Sequence, residues 1–122
     1  MAKKILIVED DNFLRDLLSK KLQSEVHSVL GAAESVETFN LLKNNKPDLI
    51  ILDLLLPGID GFEILKKIRQ TEETKNIPVI VFSNLSEEKD IKKAKDLGVS
   101  DFMVKANFTL DELVEKVNKI FK

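Results

Sequence analysis

Short runs of about four consecutive apolar residues, most of them followed by a polar residue, are the feature that most restricts the fold of this chain. Three runs are unbroken, namely Ile5–Val8, Leu49–Leu52 and Val79–Phe82. Two weaker runs, Val26–Leu30 and Asp101–Val104, continue the series. Runs of this length predict strands, and strands that are apolar on both faces are typical of a parallel sheet covered on both sides. The sequence therefore predicts an α/β protein with five parallel strands.

The segments between these runs have the spacing of amphipathic helices. Apolar residues recur at helical intervals in each segment, and glycine, proline or asparagine ends most of them. Thr109 and Glu112 form the capping box of the last helix. The predicted helices are Phe13–Leu22; one capped by Ser35 with Val36, Phe39 and Leu42 on its inner face and Leu41 as a further candidate; one from Phe62 to Ile68; Ser86–Leu97, stopped by Gly98; and one from Leu110 to Phe121.

Length and composition exclude several classes of protein. With 122 residues, 43% of them hydrophobic and 33% charged, the chain is expected to form one domain over residues 1–122. A net charge of -2 without a basic stripe argues against direct nucleic-acid binding. The absence of cysteine excludes disulfides and thiolate chemistry. Ile5–Val8 is too short for a signal peptide or a membrane span, so we expect no membrane partner and a cytoplasmic location.

Polar groups follow four of the five predicted strands. Glu9 and Asp10 follow the first, Asp53 the third, Ser83 the fourth and Lys105 the fifth. The second strand ends with nothing polar beyond Gly31. In a parallel sheet these groups emerge at one edge, where ligands bind. Three carboxylates in one place need a cation, and Mg²⁺ with oxygen ligands fits them. A lysine and a hydroxyl would supply donors to phosphoryl oxygens.

This constellation resembles the receiver domain of two-component response regulators, in particular the single-domain, chemotaxis-regulator-like members. The resemblance covers the whole chain. It implies a flavodoxin-like, doubly wound sheet with the strand order 2-1-3-4-5 flanked by five helices. It also implies a function in signalling: phosphorylation by a histidine kinase or a histidine phosphotransfer protein, followed by a change of shape.

The resemblance assigns roles to individual residues. Asp53 matches the phosphoacceptor, which forms an aspartyl phosphate. Asp10 and Asp53 match ligands of Mg²⁺, with Glu9 acting mainly through a coordinated water and the backbone carbonyl of Leu55 as a further ligand. Lys105 matches the lysine that pairs with the phosphoryl oxygens.

Further residues match the switch that responds to phosphorylation. Ser83 corresponds to the hydroxyl that bonds to the phosphoryl group and draws its loop inward. Phe102 corresponds to the aromatic residue that turns inward with it. Pro57 and Gly61 match the loop after the acceptor aspartate.

The chain departs from the family pattern at four positions. Ala106 replaces the usual proline after Lys105, and a cis peptide before alanine costs about 2.5–4 kcal/mol. Either the loop bears that strain or it takes a trans path, which would put the aim of Lys105 in question. Asn84 replaces a small residue and is expected to narrow access to Asp53. Leu55 and Leu85 stand where polar residues often orient the hydrolytic water, so we expect a long-lived phosphoryl group.

Other interpretations remain open from the sequence. Taken singly, each of these polar residues is also compatible with a purely structural role. The leading hypothesis is a phosphoacceptor that is not a turnover enzyme. The alternative is a pseudo-receiver, a phosphorylation-independent protein-binding module. A third interpretation is an aspartate-nucleophile phosphatase, but such an enzyme usually has a second acid where Leu55 stands, which argues against it.

The output partner is expected at the face of the fourth helix, fifth strand and fifth helix, where Lys92, Lys93 and Lys95 are candidate contacts. The single histidine, His27, is expected to be a surface residue without a role.

Overall fold

The computed structural model describes residues 2–56 and 60–122. Within these residues, five strands alternate with five α-helices, and a short 3-10 turn follows the last strand. The strands are β1 (Lys4–Val8), β2 (Ser28–Ala32), β3 (Leu49–Leu52), β4 (Val79–Ser83) and β5 (Asp101–Val104). The helices are α1 (Asn12–Ser24), α2 (Ser35–Asn44), α3 (Gly61–Gln70), α4 (Glu88–Asp96) and α5 (Leu110–Ile120), and the 3-10 turn is Lys105–Asn107.

The strands form one parallel sheet in the order β2-β1-β3-β4-β5. This confirms the predicted doubly wound α/β fold and its 2-1-3-4-5 order. Strand order reverses at β1, because β2 lies on one side of it and β3 on the other. The ends of β1, β3, β4 and β5 therefore lie at a common edge, which we call the carboxyl edge.

Side chains of each strand alternate between two apolar layers. In β1, Ile5 and Ile7 pack with α1 and α5, whereas Leu6 and Val8 pack on the side of α2, α3 and α4. All four are at most 1% exposed. Burying a Leu or Ile side chain contributes about 1.5–3 kcal/mol, so the apolar runs stabilise the sheet from both faces.

Two helix boundaries confirm the capping signals of the sequence. The Thr109 hydroxyl accepts a hydrogen bond from the N–H of Glu112, and the Glu112 carboxylate accepts one from the N–H of Thr109. Gly98 follows α4 with a φ of 76°, a conformation that glycine adopts without steric cost. These local interactions position α5 and the turn before β5.

The second strand begins later than predicted. Its bounds are Ser28–Ala32 instead of Val26–Leu30, so Gly31 lies inside the strand rather than closing it. Val26 has a φ of 62°. The N–H of Val26 bonds to the carbonyl of Gln23, and that of His27 to the carbonyl of Leu22. These bonds wrap the chain around the end of α1, and pairing with β1 starts only after the turn.

Three predicted helix details were also wrong. Glu34, not Ser35, caps α2, because the Glu34 carboxylate accepts from the N–H groups of residues 36 and 37. Ser35 is the first residue of the helix and is buried. Val36 is 64% exposed, so the helix turns it away from the core. In the fourth helix, Ser86 and Glu87 precede the helical segment, which begins at Glu88 without a side-chain cap.

Across residues 2–56 and 60–122, the helices are too short or too polar to cross a bilayer.

Candidate phosphoacceptor and metal site

Backbone bonds of the sheet extend into the carboxyl edge and fix its first two acids. The N–H of Glu9 donates to the carbonyl of Ala32 at 2.9 Å, one residue beyond β1. The N–H of Asp53 donates to the carbonyl of Val8 at 3.0 Å, one residue beyond β3. Both side chains are 5% exposed. The sheet therefore holds two carboxylates side by side in a largely dry environment.

Lys105 joins these two carboxylates. Its Nζ lies 2.5 Å from Oε1 of Glu9 and 2.7 Å from Oδ2 of Asp53, and its side chain is 16% exposed. The peptide between Lys105 and Ala106 is trans. The 3-10 turn Lys105–Asn107 gives the chain its path without proline. Lys105 therefore reaches Asp53 along the trans path, which answers the question that Ala106 raised.

Burial and pairing act in opposite directions on the titration of these groups. Burial raises the pKa of the Glu9 carboxyl above its usual 4.5, and the nearby charge of Asp53 adds to that rise. The hydrogen bonds from Lys105 and from the N–H of Asp11 offset part of it. For Lys105, burial lowers the pKa, but the hydrogen bonds to Asp53 and Glu9 outweigh it, and the net pKa lies above 10.5. The ammonium form of Lys105 is therefore favoured in this site.

Asp10 completes an acidic cluster with the two buried carboxylates. Glu9, Asp10 and Asp53 each offer one oxygen, and these oxygens lie within 4.8 Å of one another. Asp10 is exposed, so the cluster opens to solvent on its side. One lysine pairs with two of the three carboxylates and leaves an excess of negative charge. All three donors are oxygens, so the residues fit a hard divalent cation such as Mg²⁺.

The backbone of Leu55 orients the Asp53 carboxylate. Its N–H donates to Oδ1 of Asp53 at 2.9 Å, while Lys105 contacts Oδ2. The two contacts hold the carboxylate at both oxygens. The Leu55 carbonyl as a metal ligand stays a prediction. Leu55 itself is 50% exposed.

The predicted switch residues lie on β4 and β5. Ser83 is fully buried at the end of β4, and its hydroxyl is the acceptor for the N–H of Leu85 at 3.4 Å. Phe102 is half-buried on β5 and packs on the side of the sheet that faces α3 and α4, as Leu85 does. Asn84 is exposed. The motions predicted for Ser83 and Phe102 stay predictions.

Gly61 lies against the residue that follows Asp53. The predicted loop residue Pro57 lies outside the described residues. Gly61 begins α3, and its N–H donates to the carbonyl of Leu54 at 3.2 Å. A Cβ at Gly61 would lie 2.4 Å from the Cα of Leu54, closer than real Cβ contacts allow. Glycine is therefore required here, because its backbone touches that of Leu54, the residue after Asp53.

One contact of the site was missing from the sequence prediction. The guanidinium of Arg15 donates from Nη1 to the main-chain carbonyl of Glu9 at 2.6 Å. The N–H of Asp11 donates to Oε2 of Glu9 at 3.1 Å, and the Asp11 carboxylate caps α1. The spacing of Asp11 and Arg15, one helical turn apart, is the sequence signal that was available. It does not reveal a contact with a carbonyl.

The prediction for His27 was wrong. His27 is 9% exposed, and its ring lies 5.3 Å from the ring of Phe121, measured between centroids. Nδ1 of His27 accepts from the N–H of Lys3 at 3.4 Å, and Nε2 lies 3.3 Å from Oδ1 of Asn118. His27 therefore joins the N-terminus to the end of α5, because a buried imidazole needs partners for both nitrogens.

Comparison with known proteins identifies the family. Residues 5–118 match the model of the response regulator receiver domain. The chain therefore belongs to this family and is a receiver domain of two-component signal transduction. The family match and the phosphorylated and single-domain receivers among its relatives favour the receiver over the pseudo-receiver.

Two relatives illustrate the range of the family. Sporulation initiation phosphotransferase F of Bacillus subtilis is 35% identical over 119 residues, which cover 98% of this chain and 94% of that protein. The transcriptional regulatory protein AfsQ1 of Streptomyces coelicolor is 37% identical over 101 residues, which cover 83% of this chain and 44% of that protein. The chain spans about half the length of most of the curated relatives it matches.

Two solved structures share the fold over nearly the whole chain. The Mn²⁺-bound form of the response regulator Rcp1 has a TM-score of 0.82 and 30% identity, and covers 97% of this chain and 91% of that one. The phosphorylated cyanobacterial phytochrome response regulator RcpA has a TM-score of 0.83 and 33% identity, and covers 98% and 91%.

Proposed function

We propose that Asp53 is the phosphoacceptor and that a histidine kinase or a histidine phosphotransfer protein supplies the phosphoryl group. The observation that carries this proposal is the contact of Lys105 with both Asp53 and Glu9 inside the acidic cluster. An isolated buried acid would need one partner, whereas this arrangement combines an acceptor carboxylate, a cation for phosphoryl oxygens and oxygen ligands for a metal. The known phosphorylated relative adds support.

The chemistry follows from the contacts of Asp53. A carboxylate oxygen attacks the phosphorus of the phosphohistidine; an O–P bond forms as the N–P bond breaks, and the leaving imidazole takes up a proton. Lys105 and the N–H of Leu55 orient the carboxylate beforehand, which reduces the entropic cost of reaching the reactive geometry. Lys105 then pairs with the new phosphoryl oxygens.

Asp10, Asp53 and Glu9, with the carbonyl of Leu55, would hold Mg²⁺. Bound Mg²⁺ supplies positive charge against the acidic cluster and the phosphoryl oxygens. Glu9 already has Lys105 and the N–H of Asp11 as partners, which is consistent with a ligand that acts through water. The Mn²⁺-bound form of Rcp1 supports a divalent cation in this family.

The response to phosphorylation runs through β4 and β5 in this proposal. The phosphoryl group adds charge near Ser83, and the Ser83 hydroxyl turns toward it. Phe102 then repacks, because it lies against the same apolar cluster as Leu85, whose N–H bonds to the Ser83 hydroxyl. Phe102 has no hydroxyl, so the switch depends on packing. The output partner contacts the face of α4, β5 and α5. Lys92, Lys93 and Lys95 favour an acidic partner surface.

The chain acts on itself rather than as a turnover enzyme, and it assists only the formation and loss of its own aspartyl phosphate. We also propose a cytoplasmic location, where a histidine kinase or a histidine phosphotransfer protein would reach the receiver. No nucleic acid and no membrane is needed for the proposed reaction.

Intact mass spectrometry tests the proposal. The protein is incubated with acetyl phosphate, with Mg²⁺ or with EDTA. We expect a gain of one phosphoryl group that needs Mg²⁺ and is lost in Asp53→Asn. Asp16→Asn, which changes an exposed aspartate of α1, is the matched control and should gain the phosphoryl group.

Each other outcome has a distinct meaning. No gain at any Mg²⁺ concentration would favour a phosphorylation-independent binding module. Catalytic turnover of added phosphoesters would favour a phosphatase. A gain that persists in Asp53→Asn would place the acceptor at another residue.

A further inference from the structure

The second strand brings no reactive group to the carboxyl edge, yet its last residues are in contact with the site. Gly31 and Ala32 end β2. The side chain of Arg15 runs from α1 across Gly31. Its Nη1 donates to the main-chain carbonyl of Glu9 at 2.6 Å, and its Nη2 donates to Oδ1 of Asn12 at 2.6 Å. The guanidinium therefore connects Asn12, at the start of α1, with the main chain of Glu9 in the acidic cluster.

Gly31 is the residue that leaves room for this path. A Cβ at Gly31 would lie 3.1 Å from Cδ of Arg15, which is tighter than ordinary contact, and 3.4 Å from its Nε. The backbone does not require glycine here, because Gly31 pairs with Ile7 in a regular parallel strand. Space for the arginine side chain is thus the physical reason for a glycine at this position.

The bonded carbonyl belongs to the peptide that joins Glu9 to Asp10. The N–H of Glu9 is held by Ala32, and its carboxylate is held by Lys105 and Asp11. The Arg15 bond is the contact that orients the next peptide plane. Asp10 is exposed, so we expect the orientation of the Glu9–Asp10 peptide to set the direction of its carboxylate.

We propose that Arg15 is a positioning residue for the metal site, and that Gly31 acts by giving the Arg15 side chain its path. This inference rests on the proposed function of the acidic cluster. Arg15 fixes the Glu9–Asp10 peptide so that the Asp10 carboxylate faces the other two acids. Groups that orient metal ligands from outside the coordination sphere typically change metal affinity by about 10–100-fold when they are removed.

A double-mutant cycle in Mg²⁺ affinity tests the role. Calorimetric titration with MgCl₂ is performed on the wild type, Arg15→Ala, Gly31→Ala and the double variant. We expect Arg15→Ala to raise the Kd for Mg²⁺ by about 10-fold. Gly31→Ala raises it several-fold, but it has no effect in the Arg15→Ala background, because its clash partner is gone. Lys20→Ala, at an exposed position of the same helix, is the charge-matched control and should leave the Kd unchanged.

A metal-free measurement separates positioning from a simple charge effect. In EDTA, we expect Arg15→Ala to accelerate amide exchange at Asp10 and Asp11 but not in α5. If the arginine acted only as a nearby cation, its removal would tighten Mg²⁺ binding, and that result would overturn the inference. Additive effects of the two substitutions, or unchanged exchange at Asp10 and Asp11, would also overturn it. Failure of the wild type to bind Mg²⁺ would instead refute the proposed function, and this inference with it.

Discussion

Replacement of Lys105 by methionine tests the electrostatic account of the site most directly. At an effective dielectric constant of about 20, unit charges 2.7 Å apart, the distance from Lys105 to Asp53, attract by about 6 kcal/mol. The contact with Glu9 is as close. Desolvation of the buried charges opposes this attraction. The net loss on removing one partner of a buried pair is about 3–5 kcal/mol.

This loss is large against an ordinary domain stability of about 5–15 kcal/mol. Urea unfolding in EDTA at pH 7 measures it. Lys75→Met is the matched control, because Lys75 pairs with Glu72 at 3.1 Å with side chains 44% and 82% exposed. An exposed pair contributes below about 1 kcal/mol, so the control should remain close to the wild type.

The penalty of Lys105→Met depends on pH. Because the folded pKa of Glu9 lies above its usual 4.5, the native state binds that proton more tightly than the unfolded chain. Stability from this group is therefore present below pH 4.5 and is lost as pH rises through the raised pKa. Removal of Lys105 takes away an interaction that lowers this pKa. In Lys105→Met the Glu9 carboxyl therefore stays protonated to a higher pH. The loss of stability caused by the substitution is larger at pH 7 than at pH 5.

Mg²⁺ provides a second check on the same variant. A cation in the acidic cluster replaces part of the lost charge, so the difference between wild type and Lys105→Met should narrow in MgCl₂. Saturation at 100 times the Kd stabilises a protein by about 2.7 kcal/mol. The reasoning is refuted if Lys105→Met costs no more than Lys75→Met in EDTA. It is also refuted if neither pH nor Mg²⁺ alters the penalty.

Three further changes test other parts of the molecule. Gly61→Ala should lower the free energy of unfolding by about 1–3 kcal/mol, because its Cβ would meet the Cα of Leu54; an unchanged urea midpoint would contradict the close contact. Val26→Asn should stabilise the protein by about 1 kcal/mol, since asparagine tolerates the left-handed conformation better than valine; a lower midpoint would show that Val26 is not strained. Leu55→Asn combined with Leu85→Glu should shorten the half-life of the aspartyl phosphate, followed by intact mass. A half-life equal to that of the wild type would refute water exclusion by the leucines.

Several features were accessible from the sequence because they depend on local pattern. Burial on both faces makes a strand apolar throughout, so Leu49–Leu52 indicated a central strand without any partner in view. The capping box at Thr109 needs only two residues of the same turn. The site at Asp53 followed from the rule that parallel strands end at one edge, combined with the family resemblance.

Contacts between distant residues were decided only by the tertiary structure. His27 is buried because α5 brings Phe121 and Asn118 against it, although neither lies near it in the sequence. The start of β2 differs from the prediction because the chain first turns at Val26 after α1. Only after this turn does β2 pair in register with β1.

The chain's own sequence determined which groups reach the carboxyl edge, because a polar residue directly after an apolar run marks the point where the strand leaves the core. It did not determine how those groups pair. The bond from Arg15 to the Glu9 carbonyl requires α1 to lie across Gly31. The approach of Lys105 to two acids depends on the path of the 3-10 turn. Such pairings depend on the relative placement of packed elements, and no local sequence pattern encodes that placement.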